Sequence, residues 1–419
     1  MRVMMIAQNP AEAIAVLTAY TAAKYGGEKL KVALAYMKDT EDETQRIYDG
    51  FVRYPVTTQM KLGTVPEEWE STKQDLLRAI DDFKPDIIHC FGSEWIYGKI
   101  VRDVSIPVVI HIMGFLSVYF TSLEMVTRPV PQPPPAPQPL VKRLLRKLKR
   151  TLLQEKKNKS AAPAEKPVVR TPEVLSAIEQ DIMEANRYFL GRTRWDREIV
   201  RYYSHNGKYY HVDEVAKPSI MEAAGTWEYA YNNRLQLLTV SSADDRKGNE
   251  IILRTAKLLK ELLYLDFVWR VAGSKEFFPK FEELTGICRD DVNVELIGMI
   301  ENSQIIDEMR KADLFIHPSI MDNSPLAVCE AQLIGCPVIA SNVGGVPDLV
   351  RDGETGFLYP YNEPHTLAFL IGNCIRMEDK LKSISRNETE TAMRRHDPDR
   401  ITKALYSAYQ DIIDDYGQR

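Results

Sequence analysis

A chain of 419 residues can bury two full-sized cores, and 44% hydrophobic against 27% charged residues is the balance of an ordinary globular protein. No apolar run approaches the ~18 residues that span a bilayer, and the five scattered cysteines (Cys90, Cys288, Cys329, Cys336, Cys374) show no CxxC spacing or Cys/His pairing. A transmembrane protein, a disulfide scaffold and a zinc module are therefore excluded, and a reducing compartment is expected. The net charge of -5 conceals a basic stretch, 140–159, with nine cations against one acid.

Residues 1–7 predict a first strand that runs into Pro10, too short for a signal peptide, so a cytoplasmic location is expected. A helix to about Lys24 and an alternating strand over 31–36 follow. A helix over 66–83 delivers Lys84-Pro85-Asp86-Ile87-Ile88-His89, a buried strand announced by proline, and then come a short helix over 96–104 and a strand over 108–112. Residues 129–170 interrupt the pattern. Seven prolines in 129–139 make a stiff extended spacer. In LVKRLLRKLKRTLLQ after it, Leu140, Val141, Leu144, Leu145, Leu148 and Leu152 share one helical face, while Lys142, Arg143, Arg146, Lys147, Lys149 and Arg150 fill the other. That pattern predicts a helix lying on an anionic membrane surface, against a competing reading in which the leucines are core. A strand over 188–190 precedes Gly191-Arg192-Thr193-Arg194-Trp195-Asp196, and further strands are predicted over 235–240, 267–272, 294–297, 314–316 and 338–340. Strands alternating with helices predict an α/β chain with parallel, doubly wound sheets, whose ligands bind beyond the carboxyl ends of the strands.

The most informative stretch is 319–360, SIMDNSPLAVCEAQLIGCPVIASNVGGVPDLVRDGETGFLYP, in which Asp322 and Glu330 stand eight residues apart. A strand end over 312–319 leads through an acidic turn to Asn323-Ser324-Pro325, a helix start, and the helix stops at Gly335. Another strand, 337–341, runs into the tight turn Val343-Gly344-Gly345-Val346-Pro347. A free helix start offers unpaired N–H groups and its dipole to an anion. Glu330, a turn and a half further on, is placed to accept hydrogen bonds from vicinal hydroxyls. A phosphate at the helix start with a diol beside it describes a sugar nucleotide.

The carboxylate-x7-carboxylate spacing, the alanine after Glu330, the GCPVIAS strand and the GG-x-PDLV-x-x-G-x-x-G-F-L-Y-P tail resemble retaining glycosyltransferases of family 4. Weaker support comes from 235–318 and 84–114. The segments Gly92-Ser93-Glu94-Trp95, 191–196 and Tyr209-Tyr210-His211 resemble that family's bacterial capsule and exopolysaccharide branch. The resemblance implies the GT-B fold, two Rossmann-like domains facing across a cleft: an acceptor-side domain over 1–210 carrying the 129–170 insertion, a nucleotide-sugar domain over 211–395, and a C-terminal helix over 396–419. It also implies retaining transfer from a nucleotide-diphosphate sugar to a lipid-linked or saccharide acceptor, with no metal or other cofactor.

In those terms Glu330 holds the ribose, and Lys247 with the helix start at Ser324, Leu326 and Ala327 meets the diphosphate. Asp322 orients the sugar, the backbone of Gly298 and Met299 lies near the base, and Glu94 orients the acceptor. The family's arginine five residues before Lys247 is here Ser242, so a second cation is expected from Arg246, or from Arg192 or Arg194 across the cleft. Many members carry histidine at Met113 and glutamate at Asp322; His111, one pleat from Met113, is expected in the core. These departures keep a non-catalytic GT-B scaffold in a membrane-associated assembly as the alternative. Asp244-Asp245 and Asp397-Pro398-Asp399 read as solvated acids. No GxGxxG follows the first strand, which argues against a nicotinamide enzyme, and no nucleic-acid partner is expected. The expected location is the inner face of the cell membrane, bound through 140–159.

Overall fold

A computed structural model of the chain describes residues 1–8, 13–37, 50–56, 65–127, 171–241 and 245–419. The proline-rich spacer, the basic stretch with Lys142, Arg143, Arg146, Lys147, Lys149 and Arg150, and the positions Ser242 and Asp244 lie outside the described residues.

Among the described residues the first sheet has seven strands: β1 (Arg2–Ala7), β2 (Lys31–Met37), β3 (Val52–Val56), β4 (Ile87–Phe91), β5 (Val108–His111), β6 (Tyr188–Gly191) and β7 (Lys208–His211), in the order β3-β2-β1-β4-β5-β6-β7. The second has six: β8 (Leu235–Val240), β9 (Phe267–Ala272), β10 (Val294–Gly298), β11 (Leu314–His317), β12 (Val338–Ser341) and β13 (Phe357–Tyr359), in the order β10-β9-β8-β11-β12-β13. Every pairing is parallel. Central strands are covered on both faces, which is why VMMIA in β1 and IIHCF in β4 are fully buried runs, apolar except for His89. β3, which no sequence signal marks, is an edge strand. Pro55 is tolerated there because the outer side needs no ladder donor, and Val52 stays exposed.

Helices cover the sheets by their apolar stripes. In Pro66–Phe83, Pro66 opens the first turn, and Trp69, Leu76, Ala79 and Phe83 recur at helical spacing into the core under β1 and β4. Lys84 ends that helix in the left-handed region. The helix Pro398–Gly417 leaves the second domain and returns to the first. Its Ile401, Leu405, Tyr409 and Ile412 share one core with Val3, Met5, Ala15 and Ala19, and the Tyr409 hydroxyl lies 2.7 Å from His89 Nδ1. The first domain is thus closed by the twenty residues of this helix, and its sheet runs to His211, one residue past 210. Among the described residues no helix is long and apolar enough to cross a membrane.

Candidate active site between the two domains

In each sheet the strand order reverses at one place, between β1 and β4 and between β8 and β11. Open parallel sheets leave a crevice at such a switch point. Lys247 follows β8 and Asp322 follows β11, so both stand at the crevice of the second domain, and Glu94 follows β4 in the first.

Asp322 is the most engaged carboxylate there. Lys247 Nζ donates to its Oδ2 at 2.6 Å, His317 Nε2 lies 3.2 Å from the same oxygen, and the Asn323 amide donates to Oδ1 at 3.1 Å. Burial pushes its carboxyl up, but Lys247 and His317 outweigh burial and hold it well below the ordinary carboxylate range. Burial lowers His317 from the ordinary imidazole value, and Asp322 opposes that shift. Two glycines make this turn possible. Gly248, at φ +66°, passes so close to Pro318 that a Cβ would lie 1.9 Å from its carbonyl oxygen, and Gly344, at φ +52°, stands likewise 2.0 Å from the Asp322 carbonyl.

The helix after that turn is Leu326–Ile334, with Pro325 as N-cap and Gly335 ending it in the left-handed region. No side chain caps its start, so the first amides, by Ser324, Leu326 and Ala327, keep donors for an anion. Glu330 is nearly buried and accepts from Lys217 Nζ at 3.2 Å. Lys217 also donates to Asn302 at 2.9 Å. Ile14 and Leu17 of the first domain border the small cavity beside Glu330, which therefore lies at the domain junction. Nothing local marks Lys217 in the sequence, because it reaches Glu330 from the linker 113 residues earlier.

The cations of Asp245-Arg246-Lys247 diverge. Lys247 turns to Asp322, while the Arg246 guanidinium carbon lies 4.1 Å from the ring centroid of Tyr119, a cation–π contact from one domain to the other. No motif in the sequence marks Tyr119. Burial, then the charge of Asp322, raises its hydroxyl far above the ordinary tyrosine value; Arg246 opposes this and Glu94 adds to it, so one phenol senses the charged groups of both domains. Its placement has two causes. Gly114 leaves room where a Cβ would be 2.3 Å from the hydroxyl. The helix Leu116–Thr127 is held by Glu179, fully buried, which accepts from the amides of Leu116 (2.9 Å) and Ser117 (3.0 Å) and from Ser117 Oγ (2.8 Å). Glu94 is half-buried and folds back over Gly92. Gly298 ends β10 at φ +83° under the Lys275 side chain, two strands from Lys247, and Met299 is 81% exposed.

The cross-cleft role expected of Arg192 is corrected. Its guanidinium is buried, ion-paired with Glu214 of the linker, and donates to the carbonyls of Ile112 (3.2 Å) and Met113 (3.3 Å). Side chains alternate along an extended strand end, and this position faces inward. Its neighbours cross instead, to protein partners. Thr193 Oγ1 donates to Asn323 at 2.7 Å, Asn323 Nδ2 to Asp196 at 3.1 Å, and Arg194 Nε to Asp348 at 2.5 Å. Segment 192–196 is thus a latch beside Asp322. His111 is buried against His89, in the core as expected. Asp397 caps the return helix through the Arg400 amide, and Asp245 pairs with Lys280. Among the described residues no three His, Cys, Asp or Glu side chains cluster as a metal site.

With this geometry in hand, similarity to known proteins is informative. The chain superposes on sucrose-phosphate synthase from Thermosynechococcus elongatus over 98% of both chains, with a TM-score of 0.72 at 15% identity. The chain has the GT-B fold. Residues 228–391, which hold Lys247, Asp322 and Glu330, match the family of glycosyl transferases group 1. A putative colanic acid biosynthesis glycosyltransferase of Salmonella typhimurium is 25% identical over 42% of this chain and 45% of its own length. The amylovoran biosynthesis glycosyltransferase of Erwinia amylovora is 25% identical over 40% and 43%. The chain thus spans less than half the length of the curated relatives it matches. Anabaena HepE, solved with UDP and glucose, aligns over 97% of this chain and 98% of its own, with a TM-score of 0.66 and 15% identity.

Proposed function

We propose that the chain is a retaining, metal-independent glycosyltransferase that moves a sugar from a nucleotide diphosphate to a lipid-linked or saccharide acceptor in the assembly of a bacterial surface polysaccharide. One observation carries this reading: at the switch point of the second sheet Lys247 pairs with Asp322 just before an uncapped helix start, and Glu330 lies further along that helix. The names of the partial relatives support the polysaccharide context, and the UDP and glucose bound by the Anabaena neighbour support the donor class.

The diphosphate would take the amides of 326–327 and the two cations, which offset the charge that grows as its bond to the sugar breaks. Arrival of the phosphate competes for Lys247 and releases Asp322 to orient sugar hydroxyls. Glu330 holds the ribose diol in exchange for its contact with Lys217. Glu94 orients the acceptor hydroxyl, whose oxygen bonds to the anomeric carbon on the face the diphosphate leaves. The departing phosphate oxygen takes the acceptor's proton, a role the Met113 thioether could not fill. The basic stretch 140–159 would hold the enzyme on an anionic membrane where a lipid-borne acceptor resides.

Calorimetry with UDP, GDP, ADP and TDP identifies the base. Turnover of a sugar-nucleotide panel with a lipid-diphosphate sugar acceptor, with the product anomer read by NMR in the presence of a chelator, then tests transfer, retention and metal independence. Glu330→Gln should weaken nucleotide binding by about 1.5–3 kcal/mol, as expected for a charged hydrogen-bonding group. No binding of any of the four nucleotides would sink the proposal.

A further inference from the structure

We infer that the chain holds a second anion site, an arginine-lined cavity at the hinge that takes a multiply charged phosphate compound and ties the two domains together through it. The cavity has a volume of about 710 Å³ and is bordered by seven arginines against two carboxylates, Asp213 and Asp348. Of the groups considered for the donor Arg192 and Arg194 touch it, and those guanidinium groups are committed to Glu214 and Asp348. Lys247, Arg246, Asp322 and Glu330 are not among its walls.

The walls come from both domains and from both places where the chain passes between them. Arg197 and Arg201 project from the helix Arg194–Tyr203 of the first domain. Arg394 and Arg395 end the helix Glu378–Arg395 of the second. His211 and Asp213 lie on the outward crossing, and Arg400 opens the helix that returns.

Like charges brought this close repel unless something offsets them, and the protein's own acids do so incompletely. Arg197 and Arg201 share Glu198. Arg394 and Arg400 meet Glu390 and Asp213 only at 3.9 and 3.5 Å, and Arg395 donates to neutral oxygens of Gln332 and Asp348. The side chains of Arg201, Arg394 and Arg400 are 62%, 68% and 58% exposed, and ion pairs of such exposure bind their partners weakly. The five donors of each guanidinium match phosphate oxygens in pairs. The volume is that of a small-molecule site, ~300–1,000 Å³, larger than one phosphate needs, so a diphosphate or an organic phosphate fits better than a simple ion. A ligand touching Arg201 and Arg394 together braces the same closed relation as the Arg194–Asp348 latch.

The test titrates inorganic diphosphate into the full chain by calorimetry, for the wild type, for Lys247→Ala and for the triple variant Arg201→Gln, Arg394→Gln, Arg400→Gln. The expected result is saturable binding at this site that weakens with salt, persists in Lys247→Ala and falls at least tenfold in the triple variant. Thermal melts run alongside should show diphosphate raising Tm in the first two proteins and not in the third, while the ligand-free melts coincide. Soluble dioctanoyl phosphatidic acid in place of diphosphate separates a lipid-borne phosphate from a free one: whichever binds more tightly, with the same loss in the triple variant, names the source. Diphosphate binding that is unchanged in the triple variant, or that vanishes in Lys247→Ala, would overturn the site.

Discussion

At the scale of single residues, two arginines 54 positions apart in sequence have opposite surroundings. Arg246 reaches the domain junction, so Arg246→Ala should weaken nucleotide binding and lower turnover together. Arg192 is sealed against Glu214, with both side chains at most 3% exposed. Arg192→Ala leaves a buried carboxylate without its cation, which costs ~3–5 kcal/mol of stability. A melt should drop by many degrees for Arg192→Ala and hardly move for Arg246→Ala; equal melts would reverse the assignment. Asp322 carries a pH signature. Its folded pKa lies below the unfolded value of ~3.9. The unfolded chain therefore binds its proton first, and the group's contribution is complete above that value and lost as pH falls through the lower, folded one. Denaturant midpoints of the wild type should fall more steeply below about pH 4 than those of Asp322→Asn.

At the scale of elements, the return helix Pro398–Gly417 decides whether the first domain has a complete core. Leu405 is 1% exposed within the core that holds β1, so Leu405→Ala should cost ~2–5 kcal/mol. A chemical denaturation curve that reports on Trp69 or Trp95 should show this loss in the first domain. The helix Leu116–Thr127 depends in turn on Glu179. Neither dependence shows in a linear reading. The stripe of Ile401, Leu405, Tyr409 and Ile412 is visible in the sequence as an apolar face but not as to which sheet it covers, and Glu179 looks like an ordinary surface acid of an amphipathic helix.

At the scale of the whole molecule, polar latches, Thr193 to Asn323 and Arg194 to Asp348, link the two domains. Thr193 and Asn323 are buried, whereas the Arg194 side chain is 72% exposed, so water reaches the second of these contacts and not the first. The proposed membrane attachment belongs to this scale as well. Removing 140–159 should abolish co-sedimentation with anionic vesicles while nucleotide binding stays intact, and binding by the full chain should weaken as salt rises. Truncated protein that still pellets with vesicles would show that attachment lies elsewhere.

What the sequence determined by itself was whatever local periodicity and turn chemistry encode. The alternation of strands and helices, the glycine-rich turns around Asp322 and Gly344, the helix bearing Glu330 and the strand-end position of Lys247 all follow from neighbours within a few residues. Only the tertiary structure decided which charges meet. That Arg192 pairs with Glu214 while Arg246 meets Tyr119, that Lys217 reaches Glu330 from the linker, that Tyr119 gathers charges from both domains, and that arginines from three helices share one cavity depend on side-chain direction and on contacts between residues far apart in the chain. Cations on exposed helix turns read alike in sequence, and it is the folding of one domain against the other that gives each of them its partner.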